Sequence, residues 1–484
     1  MAEQERPPEG DGTSEPAPPA ANATRRGVLK AGLIAGAAVG VGGWQSAAAE
    51  PAARTARPAA RLTTAHLRAP GSMPYPDRPM GTDTIPQIDH IVVLMMENHS
   101  YDNKLGMLNR PGADGFGIGK DGKPTATNPY PNGDLQHAFR MPTTCQNNKP
   151  SQAWIASHQQ YANGRNDGFV KSPSGPVAMG YWQWADQPFY YSMARLFPIA
   201  DRYFCSVLGQ TFPNRRYLIS ATSLGMVNDG VPDPSQYPKN GTIFDRLDKA
   251  KVSWKDYYST LSTTELYPKL FLANVGTKVV TLDHFFTDAA NGKLPSFSLV
   301  DPNFETSSEE DPQNIVVGEH FAAKVINAVM SGPKWRSTLL IWTYDEHGGY
   351  YDHVPPPAAI APDDIKPEAP ADQQFGGFTR YGFRVPCAII SPWARANYVS
   401  HMVFDHTSIC ALVEAKWNLP AMTHRDANAN TMLDMLDFSA PAFAKPPKLA
   451  EPLLTQHPFK SQRCDVTGPG TIPPPGSVTP AAGG

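Results

Sequence analysis

The sequence predicts an α/β fold built on a mainly parallel central β-sheet. Two observations carry this. Short, continuous apolar runs alternate with helix-patterned segments along the middle of the chain, as expected when strands are covered on both faces by helices. Two of those runs also end abruptly on acidic residues. "IVVLMMENHSYDN" begins at Ile91 and passes from apolar residues straight into Glu97 and Asn98, and "LLIWTYDEHGGYYDHVPPP" begins at Leu339 and ends its apolar run on Asp345 and Glu346.

The elements follow in order. "IDHIVVLMM" reads as a buried strand, and residues 119–134 read as loop from their Gly, Pro and Asn content. Residues 151–164 and 188–205 carry helical spacing, the second leading into a loop. Residues 241–258 read as a helix and then a strand, and 293–304 as a strand ending on Asp301. Residues 318–335 form an amphipathic helix stopped by Gly-Pro, and "STLLIWTY" and 383–394 are strands. Residues 405–419 form a helix with Asp405 or Thr407 near its cap. Strands alternating with helices favour parallel pairing. In such sheets ligands gather beyond the carboxyl ends of the strands.

Composition narrows the function classes. The chain has 484 residues, 41% hydrophobic and 18% charged, with a formal net charge of -3. No basic run offers the clustered Lys and Arg that nucleic acid requires, so that partner is excluded. The 50 prolines and 39 glycines imply a loop-rich protein. Residues 1–50 read as a disordered lead followed by an export signal: Arg25 and Arg26 precede a weakly apolar Gly/Ala segment and "AAAE", the pattern of a twin-arginine leader. A retained membrane anchor is the alternative. No other segment is long and apolar enough to span a bilayer. Residues 51–85 read as a linker, 86–440 as the main domain and 441–484 as a Pro-rich tail. The five cysteines are scattered without a CxxC, which argues against a zinc-thiolate site and leaves room for one or two disulfides. Cys387 and Cys410 read as core.

Glu97/Asn98 and Asp345/Glu346 both follow strand ends, so they belong on one edge of one sheet. Carboxylates converging there repel one another unless a cation lies between them. Oxygen ligands suit a divalent ion such as Ca, Mg, Mn or oxygen-ligated Zn. Either pair alone serves equally well as helix caps. Thr211, between Gly209 and Pro213, offers a hydroxyl nucleophile, although its spacing suits a helix cap better. Among the histidines, His353 and His347 follow the Asp-Glu pair and His158 lies in "ASHQQYANG". Each offers an imidazole to hold a phosphoryl oxygen or protonate a leaving group. His406 is an intermediate case, and His99, His137 and His424 are expected to be simply exposed. No G-x-S-x-G is present, and "GIGKDGK" lacks P-loop spacing.

The blocks "MMENHSYDNKLG", "DGFV", "LGQTFPNRRYLIS", "LPSFSLVDPNF", "TYDEHGGYYDHVPPP", "GFRVPCAIISPWARANYVSH" and "DHTSICALVE" resemble, in order, those of the bacterial phosphoesterase family. That family includes bacterial phospholipases C and secreted acid phosphatases. The resemblance implies an alkaline-phosphatase-like α/β fold with a loop-rich lid. It implies one metal held by Glu97, Asn98, Thr211, Asp345 and Glu346, and attack by Thr211 to give a covalent phospho-enzyme. Two positions depart from the pattern: Asp311 and Gln152 stand where many members carry histidine. Threonine at the nucleophile position is the form seen in phospholipase C members, so the reading is a secreted phospholipase C that touches membrane surfaces transiently; the alternatives are a broad acid phosphomonoesterase and a non-catalytic binder that keeps the fold.

Overall fold

The apolar runs become the innermost strands. The computed structural model describes residues 67–146, 149–454, 464 and 471–481. The leader with Arg25 and Arg26 lies outside the described residues. In chain order the main strands are β1 (His90–Met96), β2 (Ile199–Ala200), β3 (Trp254–Tyr258), β4 (Val279–Thr281), β5 (Phe297–Val300), β6 (Thr338–Tyr344), β7 (Cys387–Ile390) and β8 (Val399–Ser400). They form one sheet in the order β8-β2-β7-β6-β1-β5-β3-β4. Every residue of β1 and of β6 is buried. Such strands need apolar residues at every position, which explains the continuous runs.

The sheet is mixed. β1 pairs parallel with β6 and with β5, and β3 pairs parallel with β4 and β5. Only β7 runs against its neighbours β6 and β2, and β8 is again parallel to β2. Register matters most at the centre, where Met96 lies opposite Tyr344. The chains leaving β1 and β6 therefore emerge side by side on the same edge.

Five helices position the site: α1 (Tyr101–Leu105), α2 (Trp154–Tyr161), α3 (Thr211–Ser220), α4 (Ile315–Ser331) and α5 (His406–Trp417). The Asn314 side chain caps α4 by accepting from Val316 N–H at 3.2 Å, and Gly332 follows its end. Its apolar face packs on β1 and β6, while α3 packs against α5. No helix among the described residues is long and apolar enough to cross a membrane.

Segments that read as linker and tail pack onto this body where they are described. Ile85 is buried, and Gly71 N–H bonds to the Ala421 carbonyl at 2.8 Å. Val478 and Thr479 pair antiparallel with Gln136 and Leu135. Cys145 and Cys464 form a disulfide, and Cys205, Cys387 and Cys410 are free and buried.

Candidate active site

Glu97 and Asn98 leave β1 beside Asp345 and Glu346 leaving β6. Asn98 adopts φ 66°, a left-handed conformation that Asn tolerates better than most residues, and turns the chain toward α1. Its N–H donates to Asp345 Oδ1 at 3.2 Å, and the Glu346 N–H donates to the same oxygen at 2.7 Å. Past the acids, the Gly348 N–H donates to Glu346 Oε2 at 2.7 Å. Gly348 has φ +66°, and a Cβ there would lie 1.8 Å from the Asn98 carbonyl oxygen. Only glycine lets the two acid corners approach this closely.

Thr211 is the first residue of α3. Its hydroxyl does not cap the helix but donates to Asn98 Oδ1 at 3.2 Å. The capping role passes to Asp229, which accepts from Phe212 N–H at 2.7 Å and from Gln210 Nε2 at 3.0 Å. Thr211 thus stands at the positive end of a helix, next to the acids. One turn on, Arg215 is buried and bonded through Nε to Asp345 Oδ2 at 2.9 Å and through a terminal nitrogen to Asp301 Oδ1 at 2.8 Å. It also reaches the Met95 and Met96 carbonyls at 3.3 and 3.4 Å. His406 Nε2–H donates to the Asp345 carbonyl at 2.7 Å, which leaves Nδ1 to accept from the Tyr203 hydroxyl at 3.1 Å.

The carboxyls carry more negative charge than Arg215 offsets. Burial first, then Glu310 and Asp345, hold Glu97 well above the ordinary carboxyl range. Burial and the Asp345 charge do the same to Glu346. Asp345 is also raised by burial, against the opposing pull of Arg215. Glu97 Oε2 and Glu346 Oε1 are buried without a hydrogen-bond partner. Two orphan carboxylate oxygens, the Asn98 amide oxygen and a threonine hydroxyl are hard oxygen donors of the type that suits a divalent cation.

A tighter cluster lies elsewhere. Among the described residues, ligand atoms of Asp102, Asp352 and His353 lie within 4.8 Å of one another, a spacing the Glu97, Asp345 and Glu346 set does not reach. Arg384 already occupies that cluster, bonding Asp352 Oδ1 at 2.8 Å and Asp102 Oδ1 at 3.1 Å. Its guanidinium supplies the counter-charge that a metal would bring.

Each of the three candidate histidines is hydrogen-bonded to a group other than Thr211. His353 is drawn to Asp102, its Nδ1 at 2.7 Å from Oδ2, with Asp114 at 3.2 Å from Nε2. Burial alone would lower it, but the Asp102 bond and the Asp102 and Asp352 charges lift it to about 9. His347 lies beside Glu346, with Nδ1 3.2 Å from Oε2. Its Nε2 is 2.7 Å from Gln160 Oε1. The Gln160 amide nitrogen is spent on the Ser151 carbonyl at 2.8 Å and Ser174 Oγ at 2.9 Å, so Nε2 carries the proton. Burial pushes His347 down to about 3, so it is neutral and its N–H is committed. His158 donates through Nδ1 to the Trp154 carbonyl at 2.7 Å, stacks on Phe375 at 4.2 Å and is lowered by burial to about 4. It lines a cavity of about 620 Å³ with Trp154, Ile155, Leu208, Phe375 and Phe378.

Of the histidines expected to be exposed, His99 is instead fully buried and packs against Trp182 and Tyr350. Asp311, in place of an expected histidine, accepts from the Tyr350 hydroxyl at 2.6 Å and is pushed by burial up to about 8. Several residues of the site had no role in the sequence reading. Arg215 was legible in principle, because a residue four positions after Thr211 shares its helix face. Asp229, Lys149 and Glu310 reach the site by long-range pairing and leave no local signal.

With this geometry in view, comparison with known proteins places the chain. A model of the Phosphoesterase family matches residues 88–420. Phospholipase C B of Mycobacterium tuberculosis (strain ATCC 25618 / H37Rv) is 31% identical over 463 residues, covering 83% of this chain and 88% of that protein. Non-specific phospholipase C1 of Arabidopsis thaliana is 32% identical over 408 residues, covering 77% and 75%. Among solved structures, a protein in the alkaline phosphatase superfamily from Vibrio parahaemolyticus aligns with TM-score 0.32 at 11% identity, covering 64% of this chain and 75% of that one.

Two outcomes follow. Arg215→Met leaves Asp345 and Asp301 buried without their cation, and chemical denaturation is expected to show a loss of about 3–5 kcal/mol. His353 binds its proton more tightly when folded. Its contribution to stability is therefore full below its ordinary value of 6.5 and is lost as pH rises through about 9. Denaturation midpoints measured from pH 6 to 10 should fall less for His353→Gln than for the unsubstituted protein across that window.

Proposed function

The chain belongs to the phosphoesterase family, as a hydrolase of phosphoric esters, and from that premise we propose that it is a secreted phospholipase C working through a phospho-threonine intermediate. One observation carries the reading: the Thr211 hydroxyl meets Asn98 Oδ1 at the positive end of α3, among buried carboxylates. Glu97, Asn98, Asp345, Glu346 and Thr211 would hold one divalent ion. Such an ion, when bound, supplies Lewis acidity and offsets charge on phosphoryl oxygens.

The chain's own groups do the rest. Asn98 Oδ1 accepts a hydrogen bond from the Thr211 hydroxyl, which turns the Oγ1 lone pairs away from Asn98. The positive end of α3 favours an anion beside Thr211, although the Phe212 N–H is taken by Asp229 and Pro213 carries none. Arg215 and His406 hold Asp345 from its side chain and its backbone. Thr211 Oγ1 gives up its proton and bonds to phosphorus as the P–O bond to the diacylglycerol oxygen breaks, and that oxygen takes up a proton from solvent; water then bonds to phosphorus as the P–Oγ1 bond breaks, a water proton returns to Oγ1, and the phospho-alcohol leaves.

The phospholipid substrate is supported by relatives named phospholipase C. It is also supported by the aromatic-walled cavity, whose Leu208 lies on the loop leading to Thr211 and offers apolar surface to a diacylglycerol leaving group. Export by the twin-arginine route fits the Cys145–Cys464 disulfide, which persists in oxidising compartments.

The test measures p-nitrophenol release from its phosphorylcholine and phosphate esters, with divalent metal supplied. Turnover of the phosphorylcholine ester well above the phosphate ester is the expected result. The reverse preference assigns a phosphomonoesterase, and no turnover of either assigns a binder. Thr211→Ala should lower kcat by about a thousandfold or more. A fully active variant removes Thr211 from the chemistry.

A further inference from the structure

Resting on the hydrolase reading above, a side-chain cation open to an anionic substrate would act beside the divalent ion and the N-terminus of α3, and the arginine and histidines already described do not supply one. Arg215 is buried and committed to Asp345 and Asp301. The N–H groups of His347 and His158 are committed to Gln160 and Trp154, and His353 is paired with Asp102 and Asp114. Lys149 differs from all of these. Its side chain is 45% exposed and forms an ion pair with Glu310, itself 26% exposed.

The pair joins two loops that are each tied to an acid corner. On one side, Ser151 lies against the loop after Glu346: a Cβ on Gly349 would meet the Ser151 carbonyl oxygen at 2.6 Å. On the other, the Glu97 N–H donates to the Ser308 carbonyl at 3.0 Å. The adjoining Glu309 is anchored by Lys104 at 2.5 Å and by the Tyr344 hydroxyl at 2.8 Å. Tyr344 is the last residue of β6, immediately before Asp345. Lys149 and Glu310 therefore join the loop packed behind Glu346 to the loop packed behind Glu97.

We propose that Lys149 is the substrate-phosphate-binding cation of this site, exchanging Glu310 for the anionic phosphoryl group of the incoming ester. The pair is partly exposed, and solvent screening limits the net stability that such a pair contributes. A phosphoryl oxygen accepts a charge-assisted hydrogen bond from the freed ammonium. Glu310 is then an internal competitor that occupies Lys149 until an anion displaces it.

The two halves of the pair give opposite outcomes, which a mere structural latch between the loops would not. In the full chain, inorganic phosphate is measured as a competitive inhibitor alongside KM and kcat for the preferred p-nitrophenyl ester. Lys149→Gln should raise KM and the phosphate inhibition constant about tenfold, with a smaller effect on kcat. Glu310→Gln, which frees Lys149, should lower both constants. Lys149→Arg keeps the charge and should restore most of the affinity. If Lys149→Gln and Glu310→Gln shift KM in the same direction, or Lys149→Gln leaves it unchanged while the unsubstituted protein turns over, the Lys149 assignment falls and the hydrolase reading stands. If the unsubstituted protein hydrolyses no ester, the hydrolase reading falls. Calorimetric titration with inorganic phosphate then decides the Lys149 assignment alone: binding lost in Lys149→Gln supports it, and binding unchanged or undetectable in the unsubstituted protein overturns it.

Discussion

A single guanidinium holds the site together. Arg215 projects from the first turns of α3 and bonds Asp345 after β6, Asp301 after β5 and the backbone carbonyls of Met95 and Met96 at the end of β1. Three neighbouring strands and the helix bearing Thr211 are thus fixed to one another at their functional ends. An arginine suits this position because its planar fork serves several acceptors at once and stays charged when buried. Burial makes the arrangement costly to break, since each carboxylate would be left without a counter-charge in a low-dielectric interior.

Around Arg215 the charge account does not close. Glu97 and Glu346 are buried with orphan oxygens and held toward their protonated forms. A protein evolved only for stability would replace such groups with apolar ones of similar volume. Their retention beside left-handed Asn98 and Gly348 is the pattern expected where local cost is accepted for chemistry. The Asp102–Asp352–His353 cluster contrasts with it. There Arg384 pairs with both carboxylates and His353 is lifted into its charged form. That cluster is balanced and reads as a brace between α1 and the loop after β6.

The parts of this design that were legible in the sequence share a local cause. Strands buried on both faces must be apolar throughout, so β1 and β6 announced themselves and their terminal acids stood out. Helix α4 was marked by its apolar stripe and its Gly-Pro stop. The antiparallel run of β7 was not legible, because direction within a sheet is set by distant connections. The Thr211 hydroxyl looked like a cap because the residue that relieves it of that role, Asp229, lies eighteen positions away. His99 read as a loop residue and is buried, since a turn directly after an inner strand is itself covered. The Pro-rich C-terminal segment looked like a tail, but a disulfide and a strand pairing to Gln136 bring its described parts back. Lys149 and Glu310 meet across 161 residues of chain, which no local pattern records.

In the proposed function the acids after β1 and β6, together with Thr211, hold one divalent ion. The most direct measurement is anomalous diffraction from crystals grown with Mn²⁺. The account predicts a single strong peak about 2.0–2.6 Å from oxygens of Glu97, Asn98, Thr211, Asp345 and Glu346. A peak at Asp102, Asp352 and His353 instead, or no peak from a preparation that still turns over after chelation, would contradict it.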